Sequence, residues 1–202
     1  MPFSRFSPRR FTVPRAGLSS DLVIDQASRL LDENGQQGLT LGLLADELGV
    51  RIPSLYKHVN GMPAINRGIL LAGKRGLAGA LGDAAIGKAR DDAVVAMATA
   101  YRRWALQHPG QYPLTMRAPV VGDEEDEAIS AEVLTIIFRV LAGYNLRGDD
   151  AIDATRFIRA TLHGFVALET GGGFELPVDL ERSFERLVES VVTALSTWSR
   201  SA

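Results

Sequence analysis

The side chains able to do chemistry are scattered along this chain rather than gathered. His58, His108 and His163 are its three histidines, and no two share the HExxH or HxxxH spacing that sets a pair of imidazoles on one helix face. Cysteine is absent, which removes thiolate ligands, thiol nucleophiles and disulfides. Serines are plentiful, but none sits in a GxSxG elbow. Gly171, Gly172 and Gly173 precede no phosphate-loop lysine and read as a helix stop followed by a loop. The acidic run Asp123–Glu127 reads as the first turn of a helix, where carboxylates meet the positive end of the helix dipole. The chain is therefore expected to be no enzyme, with no catalytic residue, no metal site and no cofactor. What remains is the chemistry of binding. It concentrates in RIPSLYKH, residues 51–58, where guanidinium, hydroxyl, phenol, ammonium and imidazole groups share one short segment.

That segment needs a scaffold, and its neighbours supply one. Residues 40–59 read TLGLLADELGVRIPSLYKHV. Thr40 is placed to cap a short helix carrying Leu43, Leu44 and Leu48. Gly49 allows the positive φ of a sharp turn. Pro53 falls in the first turn of the next helix, where a missing N–H costs nothing. Ala45 is small where two helices would cross closely, and Val50 and Leu55 plug the space between them. This is the plan of a helix-turn-helix, whose second helix enters the DNA major groove. A helix so short buries a narrow stripe, so Arg51, Ile52, Ser54, Tyr56, Lys57 and His58 are left for water or a partner.

The rest of the chain reads as helix. Residues 1–18 mix proline, serine and arginine without periodicity and are expected to be a disordered basic arm containing Arg5, Arg9, Arg10 and Arg15. A first amphipathic helix starts at Ser20-Asp21 and ends near Gly35. After the turn Asn60-Gly61, longer helices are expected over about 63–81, 91–107, 126–142, 149–169 and 178–198, with stops at Pro109-Gly110 and the triple glycine. No segment alternates with period two between hairpin turns. The fold class is all-α: an N-terminal three-helix helix-turn-helix domain over 19–65 and a C-terminal helical bundle over 66–202. The helix expected at 63–81 carries Gly68, Gly73, Gly76 and Gly79, a load that serves either easy bending or close packing.

Composition agrees with this division. The chain has 202 residues and a net charge of −2, but residues 1–70 balance to +2 and the remainder to −4. A basic end on a slightly acidic body suits a polyanion at one end. No apolar run approaches the ~20 residues of a membrane span, and the N-terminal arginines lack the apolar stretch of a signal peptide. A cytoplasmic protein without membrane contact is expected.

Residues from about Leu18 to Leu71 resemble the DNA-binding domain of the TetR family of bacterial repressors. The resemblance rests on the preceding amphipathic helix, the LADELGV turn, the SLYKHV segment and the helix after Asn60-Gly61. It implies that Arg51, Ile52, Pro53, Ser54, Lys57 and His58 face operator DNA, and that Tyr56 and Thr40 meet backbone phosphates. Arg51 is suited to guanine O6/N7. Met62 departs from the pattern, since many members carry a phosphate-binding lysine there. The arm is the substitute expected, in the minor groove. Further on, YRRWALQHPGQYPL is similar to a branch of the family's regulatory domains with a Trp-His-Gly signature, matched by Trp104, His108 and Gly110.

The resemblance implies a small-molecule effector inside the C-terminal bundle. Large apolar or aromatic residues with polar company are the candidates: Met97, Tyr101, Trp104, Met116, Phe138, Phe157, Thr161 and His163. The last two helices are expected to make a homodimer, through Thr161, Gly164, Phe165 and Leu168 on one and Leu187, Val191, Ala194, Leu195 and Trp198 on the other. A double-stranded operator with two-fold character follows. The expected function is thus a ligand-responsive repressor; the alternative is a helical module binding a small molecule or protein without DNA.

Overall fold

The computed structural model describes residues 17–198, and the arm expected at 1–18 lies almost wholly outside them. Among the described residues there are nine α-helices and no strand. They are α1 (Ser20–Gly38), α2 (Leu41–Glu47), α3 (Ile52–Leu55), α4 (Gly61–Ala85), α5 (Arg90–Gln107), α6 (Tyr112–Thr115), α7 (Glu124–Ala142), α8 (Gly148–Thr170) and α9 (Leu180–Trp198). None of them is long and apolar enough to cross a membrane. The chain divides into two compact units, with the division inside α4 between Ala72 and Gly73.

In the first unit, α1 starts at Ser20 as expected, capped from Ser19, whose hydroxyl accepts from the Leu22 N–H. Gly35, at φ +67°, breaks the helical path where an end was expected, and one more turn follows to Gly38. Thr40 caps α2, its Oγ1 accepting from Leu43 N at 3.1 Å. α2 closes as a Schellman motif: Gly49 N donates to Asp46 O, and Val50 N donates to Ala45 O. The φ of +67° at Gly49 is the conformation that motif demands. Val23, Leu31, Leu44, Leu55, Ile65 and Ile69 fill the core between these helices. Each such side chain contributes about 1.5–3 kcal/mol by leaving water.

The second unit has two adjoining apolar clusters. One gathers Leu77, Tyr101, Trp104, Leu162, Phe165 and Phe184. The other gathers Val94, Leu141, Tyr144, Leu146, Val191 and Leu195. The short helix α6 was not anticipated; four residues are too few for periodicity to register. The acidic run forms the first turn of α7 with Asp123 as its cap. Asp126 does more than favour the dipole. It is 1% exposed and pairs with Lys74 of α4, itself 5% exposed.

The dimer surface expected on α8 and α9 needs correction. Phe165, Val191 and Leu195 are buried in this chain's own core and are not free to meet a partner. The 3–4 spacing along α9 reports that core stripe. Leu168 is exposed, and Leu187 and Trp198 are half-buried. Of the four glycines expected in the 63–81 helix, three serve close packing within α4. A Cβ on Gly68 would stand 2.4 Å from Ile24 Cδ1, one on Gly73 2.7 Å from Thr115 Cγ2, and one on Gly76 3.1 Å from Trp104 Nε1. Gly79 faces open space.

Candidate nucleic-acid interface and ligand cavity

α3 is one helical turn, extended by a bonded turn in which His58 N and Val59 N both donate to Leu55 O. Leu55 and Val59 pin this segment to the core. Arg51, Ile52, Pro53, Tyr56 and Lys57 are exposed, and Ser54 and His58 are half-buried. Tyr56 is 54% exposed and Ile52 41%, so two large apolar side chains stand in water beside two cations. The Ser20 hydroxyl donates to the His58 carbonyl at 2.7 Å and ties the start of α1 to the end of this segment. Thr40, at the head of α2, is exposed as well. The eight residues expected at an interface therefore lie within one local frame of α2, its turn and α3. A rigid, cationic, partly apolar ridge is suited to a groove lined by phosphates, where cations position it and side chains at its tip meet base edges.

The second unit encloses a cavity of about 390 Å³, in the size range of small-molecule sites. Its wall is drawn from α4 to α9 and the segment after α6. Of the eight effector candidates, Met97, Tyr101 and Met116 line it. The other five do not. Trp104 is buried against α4 and stacks on His108 with ring centroids 4.8 Å apart. Phe157 packs on Trp198 in the second apolar cluster. Phe138 is partly exposed on α7, and Thr161 is half-buried on α8. His163 receives or donates at Nδ1 to the Tyr112 hydroxyl at 2.7 Å. That hydroxyl is also 2.7 Å from the Tyr101 hydroxyl, which reaches Met116 Sδ at 3.3 Å. His163 thus connects to the wall through two phenols. Burial pushes both phenols above the ordinary tyrosine range, Tyr112 strongly.

Sequence reasoning passed over the wall's aliphatic residues, such as Leu77, Leu81, Leu134 and Leu141, and its cations Lys74, Arg117 and Arg159. One signal was available. Lys74 sits at three-residue spacing between Leu71 and Leu77, on the stripe that α4 buries. A lysine on such a stripe requires a buried partner. The Trp-His-Gly signature has a structural place too: His108 N donates to Trp104 O and Tyr112 N donates to His108 O, joining α5 to α6.

Residues 94–191 match the family model described as "Tetracyclin repressor-like, C-terminal domain". An HTH-type transcriptional regulator of Mycobacterium tuberculosis, Rv0681, is 36% identical over 174 residues, which is 86% of this chain and 79% of that protein. The HTH-type transcriptional regulator YobS of Bacillus subtilis is 30% identical over 183 residues, covering 90% of this chain and 95% of that one. Among solved structures, a TetR variant of Acinetobacter baumannii in complex with minocycline superposes with a TM-score of 0.69 at 18% identity, over 90% of this chain and 98% of that one.

Proposed function

This chain belongs to the TetR family of DNA-binding transcriptional regulators, and from that premise we propose that it is a dimeric repressor released from its operator by a small molecule. Residues 19–65 read DNA, and residues 66–202 hold the effector and the dimer contact. The observation that carries this reading is the ridge Arg51–Lys57: its back is anchored by Leu55, while its cations and Tyr56 stand in water. Arg51 and Ser54 meet bases, Lys57, Tyr56 and Thr40 meet phosphates, and Ile52, Pro53 and His58 make the remaining contact. The effector occupies the cavity bounded by Met97, Tyr101 and Met116, as the presence of minocycline in one structural neighbour supports. A second copy docks through α8 and α9, using exposed Leu168 and half-buried Leu187 and Trp198. Two recognition segments then meet half-sites about 34–36 Å apart.

The experiment is titration of labelled duplex DNA from upstream of the chain's own gene, followed by fluorescence anisotropy at several salt concentrations. Tyr56→Phe and Lys57→Ala are expected to weaken binding, and Lys57→Ala to lower the log–log salt slope by about 1 per subunit. Stability should stay within about 0.5 kcal/mol of the parent, since both side chains are exposed. Parental affinity in both variants would overturn the recognition ridge.

A further inference from the structure

We propose that the cavity selects an amphipathic anion: an aliphatic body with one carboxylate-type head, held at the mouth by Arg117 and Arg159. The inference rests on the reading that this cavity is the effector site. Its wall is dominated by leucine, isoleucine, valine, alanine and methionine, with Val94, Val140, Leu141 and Val191 forming a stretch that has no polar side chain. A charge cannot be buried against such a surface, so the bulk of the ligand is apolar.

Polar groups collect around Met116. Arg159 donates to the Met116 carbonyl at 2.6 Å, Arg117 is the next residue, and the Tyr101 hydroxyl reaches the Met116 sulfur. Arg117 and Arg159 are exposed, and neither has a carboxylate partner among the described residues. Lys74 also borders the cavity, but Asp126 already matches its charge. Glu127 is the carboxylate in the wall, and its Oε1 accepts from Gly122 N at 3.0 Å. Two guanidiniums without a carboxylate partner, against the one Glu127 carboxylate, leave the lining cationic. Arginine offers a planar fork of donors that fits a carboxylate, sulfate or phosphate oxygen pair. A cationic head would meet repulsion at the same place.

The test uses the full chain, with decanoate, decanol and decylammonium at neutral pH as probes, by titration calorimetry. Decanoate is expected to bind about tenfold or more tightly than decanol, and decylammonium more weakly still. Arg117→Gln with Arg159→Gln should erase the preference for decanoate and leave decanol affinity within about twofold, because glutamine removes charge and not the apolar wall. Leu134→Trp, which narrows the cavity from an exposed position in its wall, should weaken decanoate and decanol alike. Equal affinity for decanoate and decanol in the parent, or an undiminished preference in the arginine variant, overturns the proposal. If Leu134→Trp still weakens both probes, the cavity remains the ligand site and only its selectivity is refuted. Decanoate binding untouched by all three substitutions refutes the site itself. Absence of decanoate binding to the parent also overturns the proposal.

Discussion

Lys74→Met is the substitution whose cost follows most directly from the geometry. Lys74 Nζ donates to Asp126 Oδ1 and lies 3.1 Å from Ser130 Oγ, while Asp126 Oδ2 accepts from Val120 N at 3.1 Å. Methionine preserves most of the lysine stem and deletes the charge. The carboxylate left behind keeps one strong donor, the Val120 N–H, in a site that is 1% exposed. Breaking a buried pair from one side costs about 3–5 kcal/mol. With a urea m-value of about 2 kcal/mol/M, the midpoint should fall by about 2 M. The assay is tryptophan fluorescence in urea at neutral pH. Both tryptophans, Trp104 and Trp198, lie beyond Gly73, so the signal reports the second unit alone. The double variant Lys74→Met with Asp126→Leu should recover most of the loss, since the orphaned charge is gone and apolar neighbours remain. A midpoint shift under about 0.5 M for the single variant, or a double variant no better than the single, would refute the assignment of Lys74 and Asp126 as a mutually dependent pair.

Two further outcomes follow from α4 and from the buried phenols. Gly73→Ala should lower stability by about 1–3 kcal/mol through overpacking, its Cβ meeting Thr115 Cγ2 at 2.7 Å, whereas Gly79→Ala should raise it by about 0.5–1 kcal/mol because that position is open; scanning calorimetry on both variants decides. Tyr101, Tyr112 and Tyr144 are held protonated above the ordinary range, in each case chiefly by burial. Their contribution to stability is intact below about pH 10, where an unfolded tyrosine ionises, and is lost as pH climbs further, because the unfolded chain then releases protons the folded one keeps. Near-ultraviolet phenolate absorbance should therefore lag the titration of free tyrosine and rise with unfolding. Full ionisation of all four tyrosines in the native state at about pH 10.5 would contradict this.

The helix-turn-helix was legible because everything that builds it is local. Thr40, Ala45, Gly49, Pro53 and Leu55 span sixteen positions, and each carries its instruction in its own chemistry: a cap, a close crossing, a positive φ, a helix start, a plug. The cavity was less legible because its wall comes from helices far apart in the sequence, and no spacing rule links Leu77 to Leu141 or Val191. Choosing large aromatics as candidates also ran against packing. Trp104 and Phe157 fill space and make the core solid, and the void is left where smaller aliphatic side chains face one another. Val191 and Leu195 show the same ambiguity on α9: an apolar stripe names a buried face without saying whether the cover is the chain itself or a second copy.

The string Met116–Tyr101–Tyr112–His163 can be ordered in two ways. Each phenol has one proton to give. If Tyr101 gives its proton to Tyr112, then Tyr112 gives to Nδ1 of His163, the imidazole carries its proton on Nε2, and the Met116 sulfur receives nothing. If Tyr101 turns its proton to the sulfur, Tyr112 gives to Tyr101, and Nδ1 of His163 must itself be the donor. Only the second order fills all three contacts, and a mixed order leaves the two phenol oxygens facing each other without a proton between them. The row is therefore a one-bit register, read at the cavity wall as an acceptor or a donor and at α8 as a tautomer. Passing from one order to the other turns two hydroxyls and moves the imidazole proton between Nε2 and Nδ1 by exchange with solvent.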